Sequence, residues 1–279
     1  MTLADSRGRV LAVGFFDGVH LGHRRILDGA DVAMTFRNHP LEVLRPGAAP
    51  ALIMDFDSRV AAIKSCGVGE VVALDFTREL AEVPAGKFAE SLAGYSRIRC
   101  GANWRFGKGG EGDAAFLSRL GFAVDIVPYA EYAGLPVSST RIRVALAAGD
   151  MESANAMLGA PFAVRGTVVP GKGVGKKIGF PTVNLSTGAF LPPIPRGVYA
   201  AECGALRGVA NFGVAPTAGD SAWASPVLEV HFAAAPDPAP ANGDAMTVRL
   251  TRFVRKEEKF RSFDDLRARI ALDCQNVFG

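Results

Sequence analysis

The sequence predicts an α/β protein in which a Rossmann-like doubly wound domain is followed by a small antiparallel β-barrel domain with a C-terminal helix. Apolar strand-like runs alternate with helical stretches as far as about residue 160. Beyond that point, turns rich in glycine and proline separate short β-rich runs. The length of 279 residues suits two domains of ordinary size. We therefore expect one domain over residues 1–160 and a second over 161–279.

Five short apolar runs in the first domain are typical of buried parallel strands. These runs cover residues 10–15, 32–36, 70–76, 98–100 and 123–127. The helical stretches between and after them cover residues 57–65, 84–94, 139–148 and 151–158. Strands that alternate with helices in this way predict a parallel sheet covered on both faces.

The second domain contains short β-rich runs that are typical of a small closed barrel. They cover residues 162–169, 197–203, 227–232 and 246–254. Phe263, Leu266, Ile270 and Val277 recur at helical spacing and predict a final helix over about 262–277. The segment 233–245 is rich in alanine and proline, and we expect it to be a mobile loop between strands.

Composition and charge exclude several classes of protein. Hydrophobic residues make up 49% and charged residues 21% of the chain, which is close to the average for soluble globular proteins. The net charge of +3 and the lack of aromatic residues interleaved with basic ones argue against nucleic-acid binding. The four cysteines are far apart and are expected to be reduced thiols. With no signal peptide and no bilayer-spanning run, we expect a cytoplasmic protein without a membrane partner. The oligomeric state stays open.

The segment GFFDGVHLGH at 14–23 is the first motif with a chemical meaning. A strand ends there, glycines form a turn, and a helix is expected to begin near Leu21 or Gly22. Backbone N–H groups at a helix start favour a phosphate, and His20 and His23 could stabilise charge at a reacting α-phosphate. The bland alternative is a pair of surface histidines at a turn, and zinc is excluded because no third ligand is near. The candidate nucleotide-binding residues here are Gly14, Phe15, Asp17 and Gly22.

This segment resembles the HxGH signature of the nucleotidyltransferase superfamily and, more closely, the N-terminal half of prokaryotic bifunctional riboflavin kinase/FAD synthetases. The segments TFRNHP at 35–40, GANWRFG at 101–107 and VSSTRIR at 137–143 extend the resemblance. In the last one, hydroxyls before a helix can cap it or bind phosphate, and the arginines can grip a triphosphate. The resemblance implies catalytic roles for Asn103, Ser139 and Arg143 beside the two histidines, and nucleotide binding by Ser138 and Thr140.

The segment GKGVGKKIGFPTVNL at 171–185 is the second motif. Glycines at alternate positions free backbone N–H groups for phosphates, and the lysines add charge. Thr182 and Asn184 would face the same way on an extended strand, and their oxygens suit Mg²⁺. By spacing alone the segment could equally be a flexible hairpin, but GFPTVN resembles the signature of riboflavin kinases. The candidate cofactor-binding residues are Gly171, Gly173, Lys177, Gly179 and Pro181.

Three further segments resemble the kinase half of the same family. They are NFGVAPT at 211–217, VLEVH at 227–231 and FVRKEEKF at 253–260. The resemblance implies that Glu229 is the general base for a primary hydroxyl, and that Asn211 and Arg255 bind substrate.

The resemblance covers nearly the whole chain and implies two reactions, both with Mg²⁺ and ATP. The barrel would phosphorylate riboflavin to FMN, and the first domain would adenylylate FMN to FAD and pyrophosphate. Ala215 replaces the arginine usual in the kinases, and the 233–245 loop lacks their usual acidic sequence. These departures leave open a monofunctional FAD synthetase with a degenerate, non-catalytic kinase-like domain. A flavin or nucleotide carrier is a further alternative, but it would require catalytic residues to be missing.

Two departures concern the first domain. Arg37 and Asn38 replace an acidic residue and a proline that are usual in the family. The interval between His23 and Met34 is short, so we expect a curtailed helix there.

Overall fold

In the computed structural model, which describes residues 8–171, 173–215 and 225–279, the chain forms two compact units. The first extends to Ser139, and the second runs from Thr140 to Gly279. The first contains a five-stranded parallel sheet, and the second contains a closed six-stranded barrel. The predicted fold class is therefore confirmed. The domain boundary near residue 160 stays a prediction.

The parallel sheet of the first unit has the strand order β3-β2-β1-β4-β5. Its strands are β1 (Val10–Val13), β2 (Val32–Phe36), β3 (Glu70–Leu74), β4 (Arg97–Gly101) and β5 (Val124–Val127). In β1, Leu11 and Val13 belong to one hydrophobic cluster, whereas Ala12 belongs to another. Because successive side chains point to opposite faces, the sheet is buried on both sides. This burial explains why the sequence shows continuous apolar runs.

Short helices connect these strands. They are α1 (Leu21–Leu27), α2 (Pro40–Leu44), α3 (Phe56–Lys64), α4 (Arg78–Ala81), α5 (Ala85–Glu90) and α6 (Ala114–Arg119). The helix α1 begins where the first motif predicted and has only seven residues, as the short interval before β2 required. The helix α2 was not predicted from the sequence, although His39 caps it and Pro40 occupies its first turn. A two-stranded hairpin, β6 (Glu131–Tyr132) and β7 (Leu135–Pro136), follows β5.

Two helices precede the barrel strands, α7 (Ser139–Ala148) and α8 (Met151–Leu158), and both have the predicted bounds. The side chain of Asn155 forms hydrogen bonds between α8 and the barrel strands. Its Nδ2 donates to the carbonyl oxygen of Leu250 at 3.0 Å, and its Oδ1 accepts from the N–H of Phe162 at 2.7 Å.

The barrel closes in the order β10-β11-β12-β9-β8-β13. Its elements are β8 (Phe162–Val169), the one-turn helix α9 (Val174–Lys177), β9 (Val183–Ser186), β10 (Gly197–Cys203), β11 (Leu206–Ala215), β12 (Ser225–Phe232), β13 (Ala245–Lys256) and the helix α10 (Phe263–Phe278). The runs at 162–169 and 197–203 match their strands. The extended strand expected at Thr182 and Asn184 corresponds to β9, which begins at Val183, whereas β11 was not predicted from the sequence. The segment 233–244 connects β12 to β13.

The helix α10 packs on the barrel with a stripe that differs from the predicted one. Val277 is buried together with Val198 and Val209, as its spacing suggested. Phe263, however, is 65% exposed. The packed face includes Asp273 at 2% exposure, because an arginine of β13 pairs with its carboxylate. None of the helices in the described ranges is long and apolar enough to cross a membrane.

Candidate active sites

The first candidate site lies at the carboxyl ends of β1 and β4, which are neighbours in the sheet. The strand order reverses its direction between them, and open α/β sheets bind ligands in the crevice at such a point. The motif at 14–23 follows β1, and Asn103 is exposed in the turn after β4. The fold therefore brings two of the predicted segments to one edge of the sheet.

The turn after β1 is tightly constrained. A Cβ atom at Gly14 would lie 2.9 Å from the ring of Phe16, so glycine is required there. Phe16 and Val19 both have positive φ angles, of 57° and 37°. Such conformations persist only where the surroundings impose them, and they are frequent at functional sites. The carboxylate of Asp17 is buried and accepts a hydrogen bond from the N–H of Ile53 at 3.0 Å.

The two histidines form a stacked pair at the start of α1. Their ring centroids are 3.6 Å apart, with an angle of 17° between the planes. Nδ1 of His20 accepts a hydrogen bond from the N–H of His23 at 3.3 Å. Neutral His20 therefore carries its proton on Nε2, where it can donate. A Cβ atom at Gly22 would lie 3.2 Å from the His20 ring, so this glycine also leaves room for the imidazole.

His23 is neutral near pH 7. Burial, and to a smaller extent the neighbouring His20, lower the pKa of His23 well below its usual value of 6.5. Its Nδ1 is buried and has no hydrogen-bond partner within the described ranges. His23 thus offers a polar imidazole without a positive charge.

The start of α7 joins this turn. Oγ of Ser139 donates to the carbonyl oxygen of Asp17 at 2.8 Å. Arg143 lies four residues further along α7, so helical spacing puts it on the same face as Ser139. Ser138 is half-buried just before the helix. Thr140 and Arg143 belong to the second unit, which begins at Thr140.

The segment at 35–40 supports the turn through Phe15. Oγ1 of Thr35 donates to the carbonyl oxygen of Phe15 at 2.9 Å, and the ring of His39 meets that of Phe15 edge-on at 4.8 Å. The side chain of Asn38 donates to the carbonyl oxygen of Phe76 at 3.0 Å and accepts from its N–H at 2.8 Å. This pairing gives a structural reason for asparagine where the family usually has proline.

One residue beside this site, Arg59 of α3, was not predicted from the sequence. Its side chain is fully buried, and its guanidinium lies 4.2 Å from the centre of the Phe15 ring. A single arginine within a short helix gives no sequence signal of burial, because arginine is normally exposed. Only the fold reveals its position.

The second candidate site is a cavity of about 280 Å³ within the second unit. It brings together segments that are far apart in the sequence. Of the predicted residues, Thr182, Asn211, Glu229 and Arg255 line it. Leu266 and Ile270 of α10 provide an apolar wall, and Phe180 and His231 lie along another side. The other predicted residues of this unit do not line the cavity.

The pairing of three strands places polar side chains side by side. Glu229 of β12 lies opposite Asn211 of β11 and opposite Asn184 of β9. Residues directly opposite share a face of the sheet, so these three side chains point the same way. The flanking Leu228 and Val230 are fully buried on the other face. Glu229 is thus the outward-facing carboxylate of a half-buried strand, and what it faces is the cavity.

The glycine-rich segment is shaped by close contacts. A Cβ atom at Gly171 would clash with the amide of Asn184, and one at Gly175 would clash with the carbonyl oxygen of Phe180. Gly173 and Gly179 have positive φ angles of 69° and 87° on either side of α9. These contacts and backbone angles favour glycine at all four positions. Lys177 is exposed on α9. The carbonyl oxygen of Pro181 lies 2.9 Å from Nδ1 of His231, within hydrogen-bond distance. Lys172, Pro216 and Thr217 lie outside the described residues.

Arg255 is held by a buried ion pair at the end of β13. Its Nε and Nη2 approach the carboxylate of Asp273 at 3.0 and 2.7 Å. Nη2 of Arg269 also contacts Glu258 at 3.1 Å. These pairs tie the segment after β13 to α10 along one wall of the cavity.

The residues present fit a magnesium ion by their donor chemistry. Thr182 and Asn184 supply hydroxyl and amide oxygens, the kind of ligand Mg²⁺ accepts while it keeps several waters. Within the described ranges no group of three His, Cys, Asp or Glu residues could hold a metal ion. A metal here would therefore depend on these two oxygens and on substrate phosphates.

A stacked histidine pair at a helix start on a doubly wound sheet, joined in one chain to a barrel cavity containing a carboxylate, defines a two-site nucleotide-dependent transferase. Comparisons with known proteins identify its family. The FAD synthetase family matches residues 2–141, and the riboflavin kinase family matches residues 158–278.

Curated relatives match over almost their full length. The chain is 35% identical to the bifunctional riboflavin kinase/FMN adenylyltransferase of Escherichia coli (strain K12), over 98% of this chain and 93% of that protein. It is 29% identical to the protein of the same name from Bacillus subtilis (strain 168), over 96% and 91%. A crystal structure described as a macrolide-efflux protein from Streptococcus pneumoniae has a TM-score of 0.83 at 29% identity, over 98% and 94%.

The chain belongs to the bifunctional riboflavin kinase/FMN adenylyltransferase family. Its activities are those of two transferases in FAD biosynthesis, and ATP and flavins are its small-molecule substrates. The resemblance predicted from the motifs is confirmed. Nothing in these comparisons supports the monofunctional alternative.

Proposed function

We propose that the two reactions are performed by two separate sets of residues: FMN adenylylation by residues of the first unit with Thr140 and Arg143, which follow Ser139 in the chain, and riboflavin phosphorylation by residues of the barrel. The crevice at β1 and β4 adenylylates FMN, and the barrel cavity phosphorylates riboflavin. The observation that carries this assignment is that His20 and His23 stack at the start of α1, the helix that follows β1 of the parallel sheet, whereas Glu229 lines the cavity of the barrel. We further propose a cytoplasmic enzyme that binds ATP and flavins and does not bind nucleic acid.

In adenylyl transfer, a phosphate oxygen of FMN forms a bond to the α-phosphorus of ATP, and the bond to the departing pyrophosphate breaks. Negative charge grows on the oxygens of the α-phosphate. Nε2–H of His20 and the neutral imidazole of His23 supply donors where that charge develops. Ser139 and Arg143 hold the β- and γ-phosphates, and Asn103 is a further catalytic residue.

Further residues bind the nucleotide around this centre. They are Gly14, Phe15, Asp17, Gly22, Ser138 and Thr140. Asp17 contributes through its backbone and by bracing the turn, since its carboxylate is occupied by the N–H of Ile53.

In phosphoryl transfer, the primary hydroxyl oxygen of riboflavin attacks the γ-phosphorus of ATP, and ADP leaves. The carboxylate of Glu229 accepts the hydroxyl proton. Thr182 and Asn184 would hold Mg²⁺, which when bound neutralises charge on the phosphates. The residues that bind substrate in this unit are Gly171, Gly173, Lys177, Gly179, Pro181, Asn211 and Arg255.

Two variants of the full chain test this assignment. Glu229→Gln keeps the shape of the side chain but removes the base, so we expect FMN formation from riboflavin to fall about 100-fold or more. His20→Ala is expected to lower FAD formation from supplied FMN by about 10²–10³-fold. Each variant keeps the other activity and so serves as the control for the other. Chromatography of the products from riboflavin plus ATP and from FMN plus ATP measures both. Loss of both activities in either variant, or of neither, contradicts the assignment.

A further inference from the structure

Arg59 of α3 is a buried cation that the mechanism above does not use. Its side chain has no solvent exposure. Nη2 donates to the carbonyl oxygens of Phe36 and Arg37 at 2.7 and 3.0 Å. Nε and Nη1 are buried without a hydrogen-bond partner in the part of the chain that the structure describes. A buried guanidinium with unused donors is costly, so its position requires an explanation.

Aromatic rings and carboxylates compensate this cation. Its guanidinium carbon lies 4.2 Å from the ring centre of Phe15 and 5.5 Å from that of Phe56. Burial lowers the pKa of Arg59, whereas the charges of Asp17 and Asp55 raise it. Phe15 and Asp17 both belong to the turn after β1. Two of these four groups, the ring of Phe15 and the carboxylate of Asp17, therefore couple the cation to the turn that leads to His20.

The same guanidinium also reaches the segment that follows β2. Phe36 is the last residue of that strand, and Arg37 comes next. The same segment also supports the turn through Thr35 and His39, which contact Phe15. Arg59 thus connects the two segments that approach the crevice from β1 and β2.

We propose that Arg59 is a positioning residue for adenylyl transfer: by stacking on Phe15 and holding the end of β2, it fixes the turn that orients His20 and His23. This inference rests on the proposed role of those histidines. Only a planar guanidinium can stack on a ring while donating in its own plane to two carbonyls. Lysine would keep the charge but lose one of these contacts.

The test uses full-length Arg59→Met and Arg59→Lys, with Arg78→Met as the matched control because Arg78 is an exposed arginine of the same unit. We expect Arg59→Met to lower kcat for FAD formation at least tenfold, with the KM values for ATP and FMN within threefold of wild type. Arg59→Lys should be intermediate, and Arg78→Met unchanged. Riboflavin phosphorylation by the same molecules should be unchanged in all three.

Two further measurements separate positioning from folding. Each variant is assayed well below its own unfolding temperature, and His20→Ala is assayed in parallel. A kcat of Arg59→Met within twofold of wild type while His20→Ala is inactive overturns the inference but leaves the site assignment intact. Recovery of full kcat at lower temperature also overturns it, because only stability would then depend on Arg59. An active His20→Ala overturns the site assignment itself and the inference with it.

Discussion

The acid sensitivity of the first unit should depend on one imidazole, that of His23. Its pKa is lowered in the folded protein, mainly by burial, so the unfolded chain takes up a proton at higher pH than the folded chain. The stability that this difference in pKa confers is fully present above the pKa of histidine in the unfolded chain, about 6.5. It is lost progressively as the pH falls below that value towards the folded pKa.

We therefore expect the unfolding temperature of the wild type to fall more between pH 7.5 and pH 5.5 than that of His23→Asn. Thermal unfolding followed by circular dichroism at both pH values measures the two differences. His23→Gln is the second variant, because it removes the same titration with a different side-chain volume. Equal falls in the wild type and both variants would show that His23 does not control the acid response.

Among the elements, α10 connects stability of the barrel to the kinase cavity. Its last carbonyl oxygens accept hydrogen bonds from two barrel arginines: Arg252 reaches Asn276 at 2.9 Å, and Arg207 reaches Val277 and Phe278. These cations also face the negative end of the helix dipole. The opposite half of α10 supplies Leu266 and Ile270 to the cavity wall.

We expect Arg207→Gln to lower the free energy of unfolding of the barrel by about 1 kcal/mol. The KM for riboflavin should rise as α10 loosens, while FAD formation from FMN stays at the wild-type rate. Chemical denaturation and steady-state kinetics check these effects. Arg267→Gln, an exposed arginine on the same helix, is the control and should change neither. A loss of FAD formation in Arg207→Gln would contradict the proposed separation of the two activities.

At the scale of the whole molecule, α8 decides where the chain can be divided. Met151, Ala154, Met157 and Leu158 are all buried, and α8 packs on β8 and β13. Asn155 adds hydrogen bonds to both of those strands. A division after α8 would therefore expose apolar side chains and leave backbone groups of the barrel unpaired.

We expect a fragment of residues 150–279 to fold and to phosphorylate riboflavin. A fragment of residues 161–279 should unfold at a lower temperature, because it lacks α8. Thermal unfolding and the riboflavin assay on both fragments measure the difference. Equal unfolding temperatures would favour a domain boundary near residue 160.

A first-domain fragment ending at Leu158 should likewise aggregate more readily than one ending at Gly149, since it exposes α8.

The sequence by itself determined the fold class, most of the parallel strands and the family. Apolar runs gave the five parallel strands because strands buried on both faces need continuous hydrophobicity. The bounds of α7 and α8 followed from the break at Gly149 and Asp150 between two helical stretches. The motifs at 14–23 and 227–231 predicted the histidine pair and the glutamate as candidate catalytic residues, the glutamate through the family resemblance alone.

The tertiary structure alone decided how distant residues meet. The burial that leaves His23 neutral, the placement of Glu229 between two asparagines, and the burial of Arg59 all depend on how the chain folds around these residues. Phe263 shows the converse, because its helical spacing fitted a packed face and yet it is exposed. Periodicity tells which side chains share a face, but burial and pKa depend on what the fold places opposite that face.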